Sequence, residues 1–178
     1  MLALFSSLQI LRLCVVRILG IDPGLRCCGW GIIQTIGNSL SYVAHGVINT
    51  NSAFSLAERL NTLHQELMKI LQQYNPMEAS VEETFVNKNP ASALKLGMAR
   101  GVVLFTPAAF GIEVFEYSAN KVKKSVVGSG HAEKHQVALM VSMLLPSMPR
   151  GVSADAADAL AVAICHGHHR DLNKKLIA

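Results

Sequence analysis

The apolar spacing of this chain changes first after Asn49, and the pattern that follows decides the fold class. From Arg17 to Asn49 the apolar residues come in short runs: Arg17–Asp22 (RILGID), Cys27–Thr35 (CCGWGIIQT) and Leu40–Asn49. Pro23-Gly24 follows the first run and Gly37-Asn38 separates the second from the third. Short runs bounded by turn residues are strand signals, and Gly37-Asn38 suits a tight hairpin, so the chain opens as an antiparallel meander. After Asn49 the spacing becomes helical. Leu56, Leu60, Leu63, Leu67, Ile70 and Leu71 line one face to about Tyr74, Ser55 and Glu58 stand at capping-box spacing, and Pro76 closes the helix.

The remainder alternates between the two periods. Ala79–Glu82 predicts a fourth strand ending in a carboxylate, and Thr84–Asn89 a polar loop. Pro90 suits the first turn of a helix to about Leu104, which Pro107 stops or kinks because it removes an intrahelical donor. Ile112–Tyr117 predicts a fifth strand and Ser118–Val127 a basic helix. The Gly128–Gly130 turn leads to a helix over Ala132–Leu145, and Ser153 caps a last one to about His166. Three strands followed by alternating helices and strands predict one α/β domain: a mixed five-stranded sheet, its first three strands antiparallel, with helices on both faces.

Composition agrees with one domain. The chain has 178 residues, 51% hydrophobic and 16% charged, which excludes a disordered chain and suffices for a single core. Residues 1–16 form an apolar extension without the basic start or cleavage site of a signal peptide, read as non-essential, with the folded part beginning near Val15. The domain then spans 17–170, with 171–178 a short tail. That extension and Val102–Ile112 are both shorter than the ~20 residues that span a bilayer, so no membrane anchor is expected. Cys14, Cys27, Cys28 and Cys165 lack CxxC spacing, which points to a reduced, cytoplasmic chain. Residues 84–178 hold 11 basic and 6 acidic side chains, against 5 and 6 in residues 1–83. A basic half of this kind makes nucleic acid a candidate partner.

The acidic residues carry the chemistry. Asp22 ends the first strand and Glu82 the fourth, where open sheets place their sites. Asp155 and Asp158 are i, i+3 on a helix that is otherwise nearly all Ala, Leu, Val and Ile, so they share one face and need a cationic partner. Taken singly, Asp155 is an acid favoured by a helix N-terminus and Glu82 a surface charge. Together, four carboxylates at one sheet edge raise one another's pKa and call for divalent cations. Oxygen donors favour Mg²⁺, with Mn²⁺ as a substitute, and two such ions per subunit suit a phosphodiester displacement. Glu83 competes with Glu82, but strand alternation turns it to the opposite face.

The blocks GIDPGLRCCGWGII, VEETFVNKNPASALKLGMARG, VFEY, VKKSVVGSGHAEKHQV and ADAADALAVAICH, in this order from Arg17 to His168, resemble the signature blocks of the RuvC family of Holliday-junction endonucleases. The resemblance implies an RNase H-like fold, a homodimer and Mg²⁺-dependent paired nicks across a four-way DNA junction, in homologous recombination and DNA repair. It implies 5′-phosphate and 3′-hydroxyl ends, and RuvA and RuvB as branch-migration partners. Its catalytic acids match Asp22, Glu82, Asp155 and Asp158, and its basic positions match Lys123 and Lys134. Lys134, near a helix start, is expected to stabilise developing charge on the phosphate. Lys121, Lys123 and Lys124 cluster as phosphate contacts, Lys123 foremost. Phe85, read from the residues alone, is a loop-anchoring core aromatic; the resemblance matches it instead to an aromatic that stacks on bases at the opened junction. Asn87 and Lys88 are backbone-contact candidates. The helix from Ala91 to Leu104 resembles the dimer-forming helix, through Ala91, Ala93, Gly97, Ala99 and Gly101. His166, His168 and His169 cluster after the last helix without a recognised metal-site spacing and stay outside the site.

Two alternatives remain open from the residues alone. GIDPG also begins actin-like and sugar-kinase folds, although those need a second domain for which this chain has no room. A catalytically dead junction-binding dimer is the other, disfavoured by the cost of keeping four carboxylates near DNA without metal.

Overall fold

A computed structural model describes residues 15–83 and 89–177. Among them lie strands β1 (Val16–Asp22), β2 (Cys27–Ile36), β3 (Ser39–Asn49), β4 (Glu78–Glu83) and β5 (Glu113–Ser118). Helix α1 (Leu56–Tyr74) follows β3, α2 (Pro90–Ala109) follows β4, and α3 (Ala119–Val127), α4 (Lys134–Leu144) and α5 (Ala154–Ile177) follow β5. The strands form one sheet in the order β3-β2-β1-β4-β5. β1 pairs antiparallel with β2 and parallel with β4, β2 pairs antiparallel with β3, and β4 parallel with β5. This is the mixed α/β architecture expected from the sequence.

Alternation on β1 builds two cores. Val16 and Ile18 face one layer, with Val122 of α3, Val137 and Val141 of α4, and Leu160 and Ile164 of α5. Leu19 and Ile21 face the other, with Leu63, Leu67 and Leu71 of α1 and Ala99 and Val103 of α2. Burying Leu63, Leu67 and Leu71 stabilises the fold by roughly 1.5–3 kcal/mol each. Ser55 caps α1 as predicted: Glu58 N–H donates to Ser55 Oγ, and Ser55 N–H to the Glu58 carboxylate. Trp30, on the α1 side of β2, lies 5.7 Å from Tyr74 between ring centroids. Its indole also lies over Gly46 of β3, where a Cβ would stand 2.7 Å from the ring.

Several strand ends shift by a residue from the sequence expectation, and four differences bear on the packing. β1 takes in Val16, which is buried, although it had been assigned to the extension; residues 1–14 lie outside the described residues. Helix α2 continues through Pro107 to Ala109. Pro107 falls in the last turn, where one donor is lost, and Thr106 and Pro107 are buried while Thr106 Oγ1 donates to the Val102 carbonyl. Helix α4 begins at Lys134, after Glu133 N–H donates to Gln136 Oε1.

The largest difference is α5, which runs past His166 to Ile177, across residues assigned to a tail. Gly167 weakens a helix by propensity, but here it brings the helix close to the hairpin, where a Cβ would press on Leu40 at 3.1 Å. Side chains on both sides of it tie the helix down. His166 and Arg170 bond Glu78, and His168 Nδ1 lies 3.2 Å from Ser125 Oγ. The three histidines therefore do not form a cluster. His169 Nδ1 turns back to the Cys165 carbonyl, at 2.8 Å.

Candidate active site

Helix α5 places two of the acids, and glycines let it do so. On the sheet floor beneath it, a Cβ at Gly20 would stand 2.1 Å from the Ala159 carbonyl oxygen, and one at Gly29 2.0 Å from that of Asp155. No side chain fits there, so the helix backbone rests on β1 and β2. Gly29 is also the register partner of Asp22. The first turn of α5 is thus set beside the end of β1. Its buried length is apolar from Leu160 to Cys165, leaving Asp155 and Asp158 at the rim.

Asp22, Glu82 and Asp158 line one cavity of about 220 Å³, together with Lys123 and Lys134. Ala119, Val122, Val137 and Ala161 form its apolar walls. Asp155 stays outside the lining, yet its charge acts on Asp22. Burial first, then the charges of Glu82, Asp158 and Asp155, push the Asp22 carboxyl up from 3.8 to about 7, against the opposing pull of Lys134. Glu82 is raised as well, by burial and then by Asp158, while Lys134 and Lys123 pull it back. Glu83 does not line the cavity, which favours Glu82 over its neighbour.

Lys134 supplies the local countercharge: its Nζ lies 3.0 Å from Asp158 Oδ2. That hydrogen bond raises the Lys134 pKa, so the ammonium stays protonated. Among the described residues, no three His, Cys, Asp or Glu donors stand close enough to enclose an ion as the side chains lie. The acids share a cavity and an electric field rather than a closed shell. The donor chemistry nevertheless fits a hard divalent cation: every acid offers oxygen, none of the lining residues offers sulfur or imidazole, and the excess negative charge has one lysine at contact distance.

The basic residues divide. Lys123 lines the cavity. Lys121 turns away, its Nζ 4.9 Å from the Tyr117 ring centroid, and Lys124 is exposed near the end of α3. Phe85, Asn87 and Lys88 lie outside the described residues. Cys28 is buried and its thiol pushed up to about 12, chiefly by burial, so it fills space.

One polar group is absent from the sequence reading. Glu78, at the start of β4, is buried against His166 and Arg170 of α5. Pro76 and Met77 disguise the strand start, and only a carboxylate on the same face as Glu82, four residues away, hints at it.

Known proteins bear on this geometry. Residues 18–166 match the family model described as crossover junction endodeoxyribonuclease RuvC. The crossover junction endodeoxyribonuclease RuvC of Paramagnetospirillum magneticum is 58% identical over 161 residues, covering 90% of this chain and 96% of that protein. Its counterpart from Brucella anthropi is 54% identical over 155 residues, covering 87% and 90%. Among solved structures, T. thermophilus RuvC in complex with a Holliday junction substrate superposes with a TM-score of 0.82 at 30% identity, covering 89% of this chain and 96% of that one. The yeast mitochondrial Holliday junction resolvase Ydc2 shares the fold, with a TM-score of 0.64 at 14% identity, covering 90% and 84%. The model match and the level of identity place this chain in the RuvC family of crossover junction endodeoxyribonucleases.

Proposed function

We propose that this chain is a structure-selective endodeoxyribonuclease that resolves four-way DNA junctions by paired, symmetrical nicks in homologous recombination and repair. The observation that carries the reading is Asp22, a buried carboxylate pushed to about 7 in a cavity shared with Glu82 and Asp158. A structural acid gains nothing from that position, whereas an acid that meets a cation does.

Asp22, Glu82 and Asp158, with Asp155 beside them, are the residues that would hold Mg²⁺, two ions per subunit, with Mn²⁺ able to substitute. Such an ion supplies Lewis acidity toward the phosphodiester and its attacking water, leaving 5′-phosphate and 3′-hydroxyl ends. The chain's own residues do the rest. Asp22 and Glu82 at the strand ends, and Asp155 and Asp158 on the helix, would fix where the cation sits and so where a phosphate can be met. Lys134 sets an ammonium against charge that develops on the leaving oxygen. Lys123 contacts phosphate at the cavity, Lys121 and Lys124 farther out, with Lys88 and the Phe85 ring serving the opened junction.

A homodimer fits a two-fold symmetric junction. Leu94, Met98 and Phe105 are 63%, 40% and 65% exposed along one face of α2, and Gly97 and Gly101 there have open space around them. RuvA and RuvB are the expected partners, through the family. The nuclease domain, expected over residues 17–170, takes in Val16 of the core as well and continues along α5; the residues before it are proposed to be non-essential. Among the described residues no helix is long and apolar enough to cross a membrane, in keeping with a cytoplasmic enzyme. The direct test is a synthetic four-way junction with Mg²⁺. Wild type nicks two opposed strands, while Asp22→Asn binds the junction and leaves it whole; cleavage by the variant at the wild-type rate would sink the assignment.

A further inference from the structure

Away from the cavity, four polar side chains form one buried chain. The Tyr117 hydroxyl lies 2.7 Å from His166 Nδ1, and His166 Nε2 lies 2.9 Å from Glu78 Oε2. Arg170 closes on the same carboxylate, Nε to Oε2 at 3.1 Å and Nη2 to Oε1 at 3.0 Å. His166 is fully buried and Glu78 is 4% exposed. The two guanidinium bonds hold Glu78 as an acceptor, so Nε2–H donates to it, while Nδ1 pairs with the Tyr117 hydroxyl. Phe115 stacks on the imidazole at 4.4 Å, which fixes the ring plane.

This chain joins the two elements that carry the acids. Glu78 and Glu82 lie on one face of β4, about 13 Å apart at ~3.3 Å per residue. Asp158 and His166 lie about 12 Å apart along α5 at ~1.5 Å per residue. The strand and the helix thus face each other over nearly equal lengths, bonded at Glu78–His166 and sharing a cavity at Glu82 and Asp158. Both elements are stiff, so clamping one end sets the separation at the other. Stability alone is a poor reason for the clamp, since an apolar set of the same volume is often as stable as a buried ionic one.

We infer that Glu78, His166 and Tyr117, with Arg170, are positioning residues that hold β4 against α5 at the spacing where Glu82 and Asp158 share one cation. The inference rests on the cation-holding role proposed above. The cations pull the acids together; the clamp makes the gap to be closed small.

Mn²⁺ titration of the full-length chain by calorimetry, without DNA, tests it. His166→Gln is expected to weaken Mn²⁺ binding severalfold, because the spacing of Glu82 and Asp158 then loses its clamp. Tyr117→Phe, which removes a single hydroxyl and keeps the ring, is expected to weaken it less, and it carries the test if His166→Gln does not fold. Junction affinity in EDTA stays at the wild-type value, and saturating Mn²⁺ restores the cleavage rate. Unchanged Mn²⁺ isotherms in folded variants, even with a lowered melting temperature, would make the clamp a stability feature and overturn the inference. Failure of wild type to bind Mn²⁺ would instead remove the cation-holding reading, and the inference with it.

Discussion

Lys134 and Asp158 meet at 3.0 Å at the cavity they both line, one from the first turn of α4 and the other one turn into α5. Asp158 is the less exposed partner, with 20% of its side-chain surface accessible against 75% for Lys134. The lysine is thus an exposed cation bonded to a more buried acid, within reach of a phosphate at the cavity. Lys134→Ala is expected to lower single-turnover cleavage by about 10²-fold, in line with the loss of one charge-stabilising donor, and to change junction affinity far less. Equal losses in rate and affinity would reduce Lys134 to a binding residue.

Asp22 sets a pH dependence whose sign follows from its raised pKa. Its carboxyl binds a proton more tightly in the folded chain, with a pKa of about 7, than an ordinary aspartate at 3.8. Below that lower value both states are protonated and Asp22 costs nothing. As pH rises from there toward 7 the cost of holding a buried charge grows, and above 7 it is complete. Three pH units correspond to about 4 kcal/mol as an upper bound. In EDTA, Asp22→Asn is expected to melt several degrees above wild type at pH 8 and at nearly the same temperature at pH 4, as scanning calorimetry would record. Divalent cations should close the gap at pH 8 by stabilising wild type alone.

Gly29→Ala tests how the helix is seated. The added Cβ would stand 2.0 Å from the Asp155 carbonyl oxygen, so α5 must lift from the sheet. Denaturant unfolding is expected to show a loss of roughly 1–3 kcal/mol, the usual range for overpacking. Cleavage at a temperature where the variant is fully folded should fall further than Lys134→Ala lowers it, because Asp155 and Asp158 both move. Wild-type cleavage by the folded variant would show that the acids tolerate a displaced helix.

Phe105→Glu addresses the exposed face of α2. A charge at a 65% exposed position leaves the folded subunit nearly unchanged, and in a subunit interface it would be buried unpaired. Sedimentation should then show monomers at concentrations where wild type is dimeric, and nicks on the two opposed strands should become uncoupled. A variant that still sediments as a dimer would place the interface elsewhere.

The carboxylate corner was legible because its cues are local. Asp22 and Glu82 end apolar runs, and Asp155 and Asp158 interrupt an apolar helix, so position on an element already implied a shared edge. The Ser55–Glu58 cap and the Gly37-Asn38 hairpin were legible for the same reason. What escaped depends on tertiary contact. Nothing near Glu78 in the sequence announces that His166 and Arg170, some ninety residues later, will bond it, and without that bond the glycine and histidines after Cys165 look like a helix end. Pro107 misled in a similar way, since a lost donor in a last turn is outweighed by burial. The side of α3 on which each lysine falls was likewise fixed by packing: Lys123 faces the cavity and Lys121 the Tyr117 ring.

Trp30 is the chain's single tryptophan, and its indole packs beside Tyr74 and over Gly46, on the α1 side of the sheet. The α5 layer with its acids lies across the sheet from it. Intrinsic emission will therefore register melting of the β-meander while staying silent when ions or a phosphate enter the opposite corner. An optical signal for the chemistry has to be introduced on α3 or α4 instead.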